Sequence, residues 1–244
     1  MTRARVRLGL LVPFSNTNFE PDMALLMPEG VTLHSARMGG YDEDEIPDET
    51  QMAGLGTSDL DEPLRLLQGT KPDAILYGCT SATLTHGPAF DQNLAARIKT
   101  ASGAECITAA GAIVAALKHL DVTRIGFGSP YVAAINDLAI QFLHTSGIET
   151  VARAEVDKPL SNDEQGALTP DDVFAIGQRA DHADAQAILL SCTDMRSVET
   201  IARLEIELGK PVIASNQAIA FDTLRRLGIP DPIHGFGQLL ENRT

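Results

Sequence analysis

Two cysteines in this sequence occupy the same position in a repeated pattern, and both could take part in catalysis. Cys79-Thr80 follows the residues AILYG, and Cys192-Thr193 follows the residues AILLS. A cysteine thiolate is a strong nucleophile, and a thiol can donate a proton. Because both cysteines recur in equivalent positions with polar residues after them, we predict that they act together on one substrate.

A pair of thiols on opposite walls of one cleft suits two kinds of reaction. In the first, one thiolate removes a proton from a carbon atom and the other thiol donates a proton to the opposite face, which inverts the configuration. In the second, one thiolate adds to an activated double bond while the other cysteine handles a proton. Neither reaction requires a metal ion or an organic cofactor, because backbone N–H groups and hydroxyls can hold the negative charge that develops.

The elements around each cysteine are expected to favour this chemistry. A short apolar run that ends in small and polar residues is typical of a buried strand in a parallel sheet, and ligands bind where such strands end. A helix that begins directly after the strand would stabilise a thiolate, and its N–H groups could bind a substrate carboxylate. Cys106 lacks this setting, so we assign it to the core.

Two further repeats occur in the same order as the cysteine motifs. Residues 7–14 resemble residues 124–131, and residues 106–109 resemble residues 212–215. Matches in one order indicate two related halves of the chain, and they are spaced too widely for the repeats of a solenoid. The alternation of apolar strand patterns with helical patterns predicts a parallel α/β fold.

The hydrophobic pattern and the turn residues predict the elements along the chain. Strands are expected at residues 6–12, 31–35, 72–78, 104–108, 123–127, 149–156, 186–190 and 212–214. The main helices are expected at residues 59–69, 90–100, 109–120, 131–145, 196–208 and 217–227, and another begins at Pro170 with Thr169 as its N-cap. Residues 41–50 and 157–169 are predicted to be polar loops, and Ser215-Asn216 is predicted to cap the last helix.

Composition narrows the possible classes of partner. The chain has 244 residues, of which 44% are hydrophobic, and its formal net charge is −14. This acidic balance disfavours nucleic acid as a partner, and no apolar run approaches the roughly 20 residues that span a bilayer. Three cysteines without C-x-x-C spacing predict neither a disulfide framework nor a zinc site. We therefore expect a reducing, cytoplasmic location.

The cysteine motifs belong to a larger set of short segments that resembles a known superfamily. The segments are VPFSNT at residues 12–17, GCTS at 78–81, SPY at 129–131, SCT at 191–193 and SNQA at 215–218, together with Asn162 in a loop. They resemble the Asp/Glu racemase superfamily, and within it the branch that contains maleate cis–trans isomerase and arylmalonate decarboxylase. The resemblance extends over nearly the whole chain.

The resemblance implies a domain organisation. It implies two pseudo-symmetric Rossmann-like (flavodoxin-like) half-domains, each with a central parallel sheet flanked by helices, and an active site in the cleft between them. The first half would comprise residues 1–118 together with residues 215–244, whose helix returns to it, and the second half residues 119–214. The helix predicted at 109–120 is rich in small and apolar residues, so we expect it at a domain or subunit contact and expect a homo-oligomer.

The resemblance also implies roles for individual residues. Cys79 would be the covalent nucleophile, and Cys192 would be the partner that handles the proton. A small carboxylate would be the substrate, and the reaction would take place next to the carboxylate without a cofactor or a metal ion. The substrate would be bound by Ser15, Asn16, Thr80, Ser81, Tyr131, Asn162 and Thr193.

Two departures from the patterns of this branch leave the substrate open. Cys79 stands where the decarboxylase pattern has glycine, which disfavours decarboxylation. The residues TDMR at 193–196 differ from those expected in maleate isomerases and look more like racemase-type members and proteins associated with ectoine breakdown. The leading hypothesis is an isomerase of a small dicarboxylate, with maleate as the first substrate to test. The alternatives are a racemase of aspartate-like amino acids and a binding protein for small anions without catalysis.

Overall fold

Two four-stranded parallel sheets form the centre of the computed structural model, which describes residues 5–40 and 45–241. The first sheet consists of β1 (Val6–Pro13), β2 (Val31–Met38), β3 (Ala74–Tyr77) and β4 (Glu105–Thr108), in the order β2-β1-β3-β4. The second sheet consists of β5 (Arg124–Gly128), β6 (Glu149–Ala154), β7 (Ala187–Leu190) and β8 (Val212–Ala214), in the order β6-β5-β7-β8. Because the two orders are equivalent, the repeat in the sequence is also a repeat in topology, and the predicted α/β fold is confirmed.

The strands that precede the two cysteines are equivalent central strands. Tyr77 at the end of β3 pairs with Leu11 in β1, and Leu190 at the end of β7 pairs with Gly128 in β5. Every residue of β3 and of β7 is buried, which explains their continuous apolar sequences. The two cysteine motifs therefore follow the carboxyl ends of matching strands, where parallel α/β sheets bind ligands.

Helices connect the strands and cover both faces of each sheet. In the first half they are α1 (Phe19–Leu26), α2 (Glu49–Gly56), α3 (Asp61–Gln68), α4 (Thr80–Leu84), α5 (Pro88–Ser102) and α6 (Ala109–His119). After them come α7 (Ala133–Thr145), α8 (Asn162–Gly166), α9 (Pro170–Arg179), α10 (Ile201–Leu208), α11 (Ser215–Arg226) and α12 (Gln238–Glu241), with a 3-10 turn at Val198–Thr200. In the part of the chain that the structure describes, no helix has the length and apolar character to cross a membrane.

Helix α11 connects the two halves. It follows the last strand of the second sheet but packs against α6 and α1, which lie beside the first sheet. Apolar residues of α6 and α11 share one buried cluster with Leu10 of the first sheet and Leu189 of the second. Helix α6 therefore lies at the contact between the halves, whereas the division of the chain at residues 118 and 214 stays a prediction.

The sequence did not predict two short helices: α8 lies within the predicted polar loop 157–169, and α2 begins at the end of the predicted loop 41–50 and continues through residues to which no element was assigned. Helix α2 begins with a capping box between Asp48 and Gln51, and α8 begins with a capping box between Ser161 and Glu164. In a capping box, side chains satisfy the first N–H groups of a helix, so short polar sequences can become helical without an apolar stripe. Residues 41–44 of the predicted acidic loop lie outside the described residues.

The predicted cap of the last helix is wrong, while that of α9 is confirmed. Ser215 and Asn216 already lie in the first turn of α11, and Ala214 is the N-cap residue. Their polar side chains point to other elements: Asn216 donates a hydrogen bond to Asp22 in α1 at 2.7 Å. Thr169 caps α9 as predicted, with Pro170 in its first turn.

Candidate active site

Cys79 is the N-cap residue of α4, so the helix begins directly after this cysteine as predicted. Gly78 leaves room for the neighbouring aromatic ring, because a Cβ atom at this position would lie 2.4 Å from Phe19. Burial raises the pKa of the Cys79 thiol, whereas the backbone N–H of Ala82 and the side chain of Ser81 act to lower it. The first turn of α4 thus offsets part of the desolvation of a thiolate at Cys79.

Cys192 has a different setting, because an irregular loop at residues 193–197 follows it. The prediction that a helix begins directly after the second cysteine is therefore wrong. The backbone N–H of Asp194 donates to the sulfur of Cys192 over 3.3 Å. Burial and then the negative charge of Asp194 raise the pKa of the Cys192 thiol to about 12, although the side chain of Tyr131 acts to lower it. Cys192 is consequently a protonated thiol at neutral pH, which suits a proton donor.

Hydrogen bonds to the other half of the molecule hold the loop after Cys192. Oδ1 of Asp194 accepts from the backbone N–H groups of Thr17 (2.9 Å) and Asn18 (3.1 Å) and from the Asn18 side chain (3.0 Å). The Asn18 side chain also donates to the backbone carbonyl of Asp194 at 2.8 Å. Because this carbonyl and this carboxylate bind the β1–α1 loop, they are not free to start a helix, which accounts for the irregular backbone.

Asn16 is held in the β1–α1 loop with its amide directed at the second cysteine motif. Its Oδ1 accepts from the backbone N–H groups of Asn18 (3.1 Å) and Phe19 (2.9 Å), and its Nδ2 donates to the Thr193 hydroxyl (3.1 Å). The Thr193 hydroxyl donates in turn to the carbonyl of Gly78 at 2.8 Å. This chain of hydrogen bonds joins the two cysteine loops to the β1–α1 loop and fixes the relative position of all three.

The two cysteines line one cavity between the two sheets. The described residues that line it are Pro13, Phe14, Ser15, Asn16, Met52, Leu55, Cys79, Ser81, Tyr131, Asn162, Gln165, Cys192, Thr193 and Asp194. Tyr131 interacts with Cys192 and Ser81, and burial raises the pKa of its hydroxyl well above the usual range. Two thiols and a neutral phenol therefore line one cavity.

The cavity is narrow, because α2 covers one side of it. Met52 and Leu55 of α2 lie on the wall, and the Ser81 hydroxyl donates to the sulfur of Met52 at 2.9 Å. The free volume is about 30 Å³, which holds about two water molecules.

The structure brings together both predicted catalytic residues and all predicted binding residues except Thr80. Thr80 is fully buried outside the cavity wall, and its hydroxyl donates to the Ser215 hydroxyl at 2.9 Å. The sequence did not single out Met52, for whose segment no element was predicted, or Gln165, which belongs to a helix that was expected to be a loop. It also did not assign a role to Asp194, although a carboxylate two residues after a candidate catalytic cysteine was a usable signal.

Three other side chains of types that could bind a ligand or act in catalysis, His86, Arg196 and Cys106, are not part of this cavity's wall. His86 hydrogen-bonds through Nε2 to a backbone carbonyl of α2 at 3.0 Å and stacks on Phe90, so it anchors α2. Arg196 pairs with Glu199 at 2.8 Å, and Cys106 is buried in the core as predicted. Within residues 5–40 and 45–241, no group of three His, Cys, Asp or Glu side chains is arranged to hold a metal ion.

The sequence profile of the arylmalonate decarboxylase family matches residues 8–240 of this chain. The chain belongs to this family. A maleate isomerase from Nocardia farcinica is 27% identical over 96% of this chain and 95% of its own length. The superfamily branch that the short motifs indicated is therefore confirmed.

Solved structures of two maleate isomerases have the same two-half fold as this family member. The maleate isomerase Iso from Pseudomonas putida S16 superposes with a TM-score of 0.89 at 26% identity, covering 98% of this chain and 99% of that one. A cysteine-to-serine mutant of the Nocardia farcinica maleate cis–trans isomerase superposes with a TM-score of 0.88 at 25% identity, covering 98% of this chain and 99% of that one. That mutant holds a covalently bound succinylcysteine intermediate.

Proposed function

We propose that this protein is a cofactor-independent cis–trans isomerase of a small cis-dicarboxylate, with maleate to fumarate as the reaction to test. The observation that carries the proposal is the placement of Cys79 and Cys192 on one cavity with unequal surroundings. The succinylcysteine intermediate of the related isomerase supports the same chemistry, because it is the adduct that a cysteine and maleate would form.

The proposed reaction begins with the Cys79 thiolate. The thiolate adds to one alkene carbon and forms a C–S bond, and the π electron pair moves to the neighbouring carbon, which takes a proton from the Cys192 thiol. The former double bond is now a single bond and can rotate. The Cys192 thiolate then removes a proton from the same carbon, the double bond re-forms in the trans geometry, and Cys79 leaves as a thiolate. Both cysteines return to their starting states, so the cycle consumes nothing else.

The remaining wall residues would bind the carboxylates and stabilise the charge that develops. Ser15, Asn16 and Ser81 supply donors from the first half, and Tyr131, Asn162 and Thr193 supply donors or acceptors from the second half. A neutral Tyr131 hydroxyl beside the two sulfurs suits a donor to the enolate-like oxygen of the intermediate. The Thr80 side chain is already paired with Ser215, so its predicted part in binding would fall to its backbone.

A racemase of aspartate-like amino acids is the second candidate, because two cysteines on one cavity can also act as a pair of bases. The two reactions differ in whether aspartate takes up deuterium from the solvent. A two-base racemase incorporates deuterium at the α-carbon of an amino acid as its configuration inverts, whereas the proposed isomerase leaves aspartate unchanged. Incubation of the purified protein in D₂O with maleate, L-aspartate or D-aspartate, followed by proton NMR, separates them. Formation of fumarate supports the proposal, and deuterated aspartate without fumarate contradicts it.

We also propose a homo-oligomer and a cytoplasmic location for this protein. Helix α6 was one reason to expect a subunit contact, but its apolar residues pack inside the chain against α11. An oligomer would therefore use another surface. Light scattering coupled to size exclusion tests the oligomeric state, and a single-chain mass of about 26.0 kDa would contradict the proposal.

A further inference from the structure

Asp194 gives the cavity a negative charge, which is the same sign as the charge of the proposed dicarboxylate substrate. Asp194 is about nine-tenths buried and belongs to the cavity wall, and its backbone N–H donates to the sulfur of Cys192. The negative charge of its carboxylate acts on the Cys192 thiol. Among the described lining residues, Asp194 is the only one with a charged side chain. A dicarboxylate that enters this cavity with two negative charges therefore meets a third negative charge.

No cation among the described lining residues compensates for Asp194. The cation that acts on its carboxylate is Arg37, whose guanidinium donates to the backbone carbonyls of Asn16 (2.6 Å) and Pro13 (3.3 Å) and pairs with Glu20. Arg37 thus binds backbone carbonyl groups of the β1–α1 loop, while Asp194 binds backbone N–H groups of the same loop. The Arg37 side chain is 48% exposed, so water screens much of its charge.

We infer that Asp194 is a specificity-determining residue of the proposed isomerase: it disfavours doubly ionised dicarboxylates and favours cis-dicarboxylate derivatives with one negative charge fewer. The chemical class includes a monoamide, which keeps the cis double bond between two carbonyl groups. An amide N–H of such a substrate could also donate to a carboxylate, which a second substrate carboxylate cannot do. This inference rests on the proposed function for its substrate class, but the charge effect itself can be measured without turnover.

The effect is expected to depend on pH, because burial raises the pKa of Asp194 to about 6. Asp194 is then charged at neutral pH and becomes neutral below about pH 6, where discrimination against a dianion should fade. The titratable and charged groups that interact with it are Arg37 from β2, Asp22 from α1, Cys79 from the start of α4 and Cys192 from its own loop. Tyr131, from the segment before α7, lines the same cavity. Asp22 has a pKa raised to about 7 and does not line the cavity, so it requires its own control.

The first experiment measures binding of fumarate by calorimetry in the Cys79→Ser background, which prevents adduct formation. Fumarate remains a dianion between about pH 5.5 and pH 8, so any change in its affinity comes from the protein. We expect the Kd to rise about tenfold over this interval at constant ionic strength, because a carboxylate of the cavity wall then gains its charge. In the Cys79→Ser, Asp194→Asn double variant, we expect a change of less than about twofold. The Cys79→Ser, Asp22→Asn variant is the matched control and should keep the tenfold rise.

The second experiment compares maleate with its monoamide, maleamate, as substrates at about pH 8. We expect the ratio of kcat/KM for maleamate to that for maleate to fall about tenfold when Asp194 is replaced by Asn. The Asp194→Asn change keeps an acceptor for the Thr17 and Asn18 N–H groups, and thermal unfolding checks that the variant folds.

The binding and turnover results separate the inference from the proposed function. If fumarate binding has the same pH dependence with and without the Asp194→Asn change, the inference is overturned whatever the activity. Absence of turnover with both compounds, combined with the expected binding difference, would instead contradict the proposed function and leave the charge effect intact.

Discussion

The segments that contain Cys79 and Cys192, here called the first and second cysteine loops, have nearly the same sequence but give their thiols different chemical environments. Each follows a buried central strand that begins with Ala-Ile-Leu, and each strand pairs with equivalent neighbours. After Cys79 the chain becomes helical at once, whereas after Cys192 it remains irregular until Val198. Internal duplication thus places two thiols at matching points, and the residues after them decide which thiol is the more acidic.

The threonines after the cysteines differ in the same way. Thr80 donates to Ser215, and Thr193 donates to the carbonyl of Gly78. Each hydroxyl therefore bonds to a segment from elsewhere in the chain, but only Thr193 also accepts from Asn16 on the cavity wall. The first loop is closed by its own helix, whereas the second is held by the β1–α1 loop that carries the proposed binding residues.

The largest expected effect comes from exchanging each cysteine for serine. Both Cys79→Ser and Cys192→Ser should lower kcat for maleate isomerisation at least about a thousandfold, because nucleophile and proton donor act in sequence. Only Cys192→Ser should accumulate a covalent adduct of the mass of maleate, which intact mass spectrometry and peptide mapping would locate on Cys79.

Cys106→Ser is the control for this exchange, since Cys106 lies in the core and not on the cavity. It should keep its activity per folded molecule. An adduct on Cys192 in the Cys79→Ser variant would instead show that Cys192 can act as the nucleophile. It would contradict the roles assigned to the two cysteines.

The sequence predicted the fold and the cysteine pair because both leave strong local signals. Buried parallel strands are continuous apolar runs, and the repeat placed Cys79 and Cys192 at equivalent strand ends before any contact was known. No helix begins directly after Cys192, and the helix expected at residues 196–208 starts only at Ile201 after a 3-10 turn, because the side chain and carbonyl of Asp194 bind Thr17 and Asn18 from a loop that is distant in sequence. Such long-range competition is not visible in a local pattern.

The wall contributed by α2 and α8 was unpredictable for a different reason. Both helices are short, and their capping boxes at Asp48 and Ser161 resemble ordinary turn sequences. A hydrophobic period cannot be detected over a single turn or two. Met52 and Gln165 therefore reached the cavity without a signal in the sequence, whereas Asn162 was found only through a family resemblance.

The next effect concerns the free energy of unfolding and Asp22, a buried acid that is hydrogen-bonded through Asn216 to the second cysteine loop. Asp22 accepts a hydrogen bond from Asn216, which also donates to the carbonyl of Thr193 in the second cysteine loop. At the first cysteine loop, the corresponding contact is the hydrogen bond between the hydroxyls of Thr80 and Ser215. Burial raises the pKa of Asp22 to about 7 from its ordinary value of 3.8. The folded state binds this proton more tightly than the unfolded state, so Asp22 contributes stability at low pH that is lost as the pH rises through about 7.

The Asp22→Asn change removes this loss of stability with rising pH, because asparagine does not ionise, and it keeps an acceptor for the Asn216 amide. Measured by urea unfolding, the stability of the variant relative to the wild type should increase between about pH 4 and pH 7, by up to about 4 kcal/mol, and the difference should stay constant above that range. The Asp231→Asn change, at an exposed aspartate, is the control for exchanging the same residue type at the surface. A difference for Asp22→Asn that shrinks as pH rises would contradict the assigned sign.

A smaller effect is expected at the residue before the first cysteine. A Cβ atom at Gly78 would lie 2.4 Å and 2.5 Å from ring atoms of Phe19, and this ring is fully buried. Gly78→Ala should therefore destabilise the fold by about 1–3 kcal/mol through overpacking, measured by urea unfolding. Gly54→Ala is the matched control: no atom lies within 4 Å of its added Cβ, so it should be neutral or stabilise α2 by up to about 1 kcal/mol. An equal loss in both variants would show that backbone freedom, and not the contact with Phe19, explains the glycine before Cys79.

The smallest effect is expected at the equivalent position before the second cysteine, where Ser191 replaces glycine. Ser191 is fully buried, and its hydroxyl has no hydrogen-bond partner among the described residues. A buried polar atom without a partner is unfavourable, so Ser191→Ala should leave the free energy of unfolding unchanged or raise it by up to about 1 kcal/mol. Ser129 is also fully buried, but its hydroxyl donates to Asn136 and accepts from the N–H of Tyr131. Ser129→Ala should therefore cost about 1–3 kcal/mol, and a similar cost for Ser191→Ala would mean that its hydroxyl has a function in the second cysteine loop that the contacts within the chain do not explain.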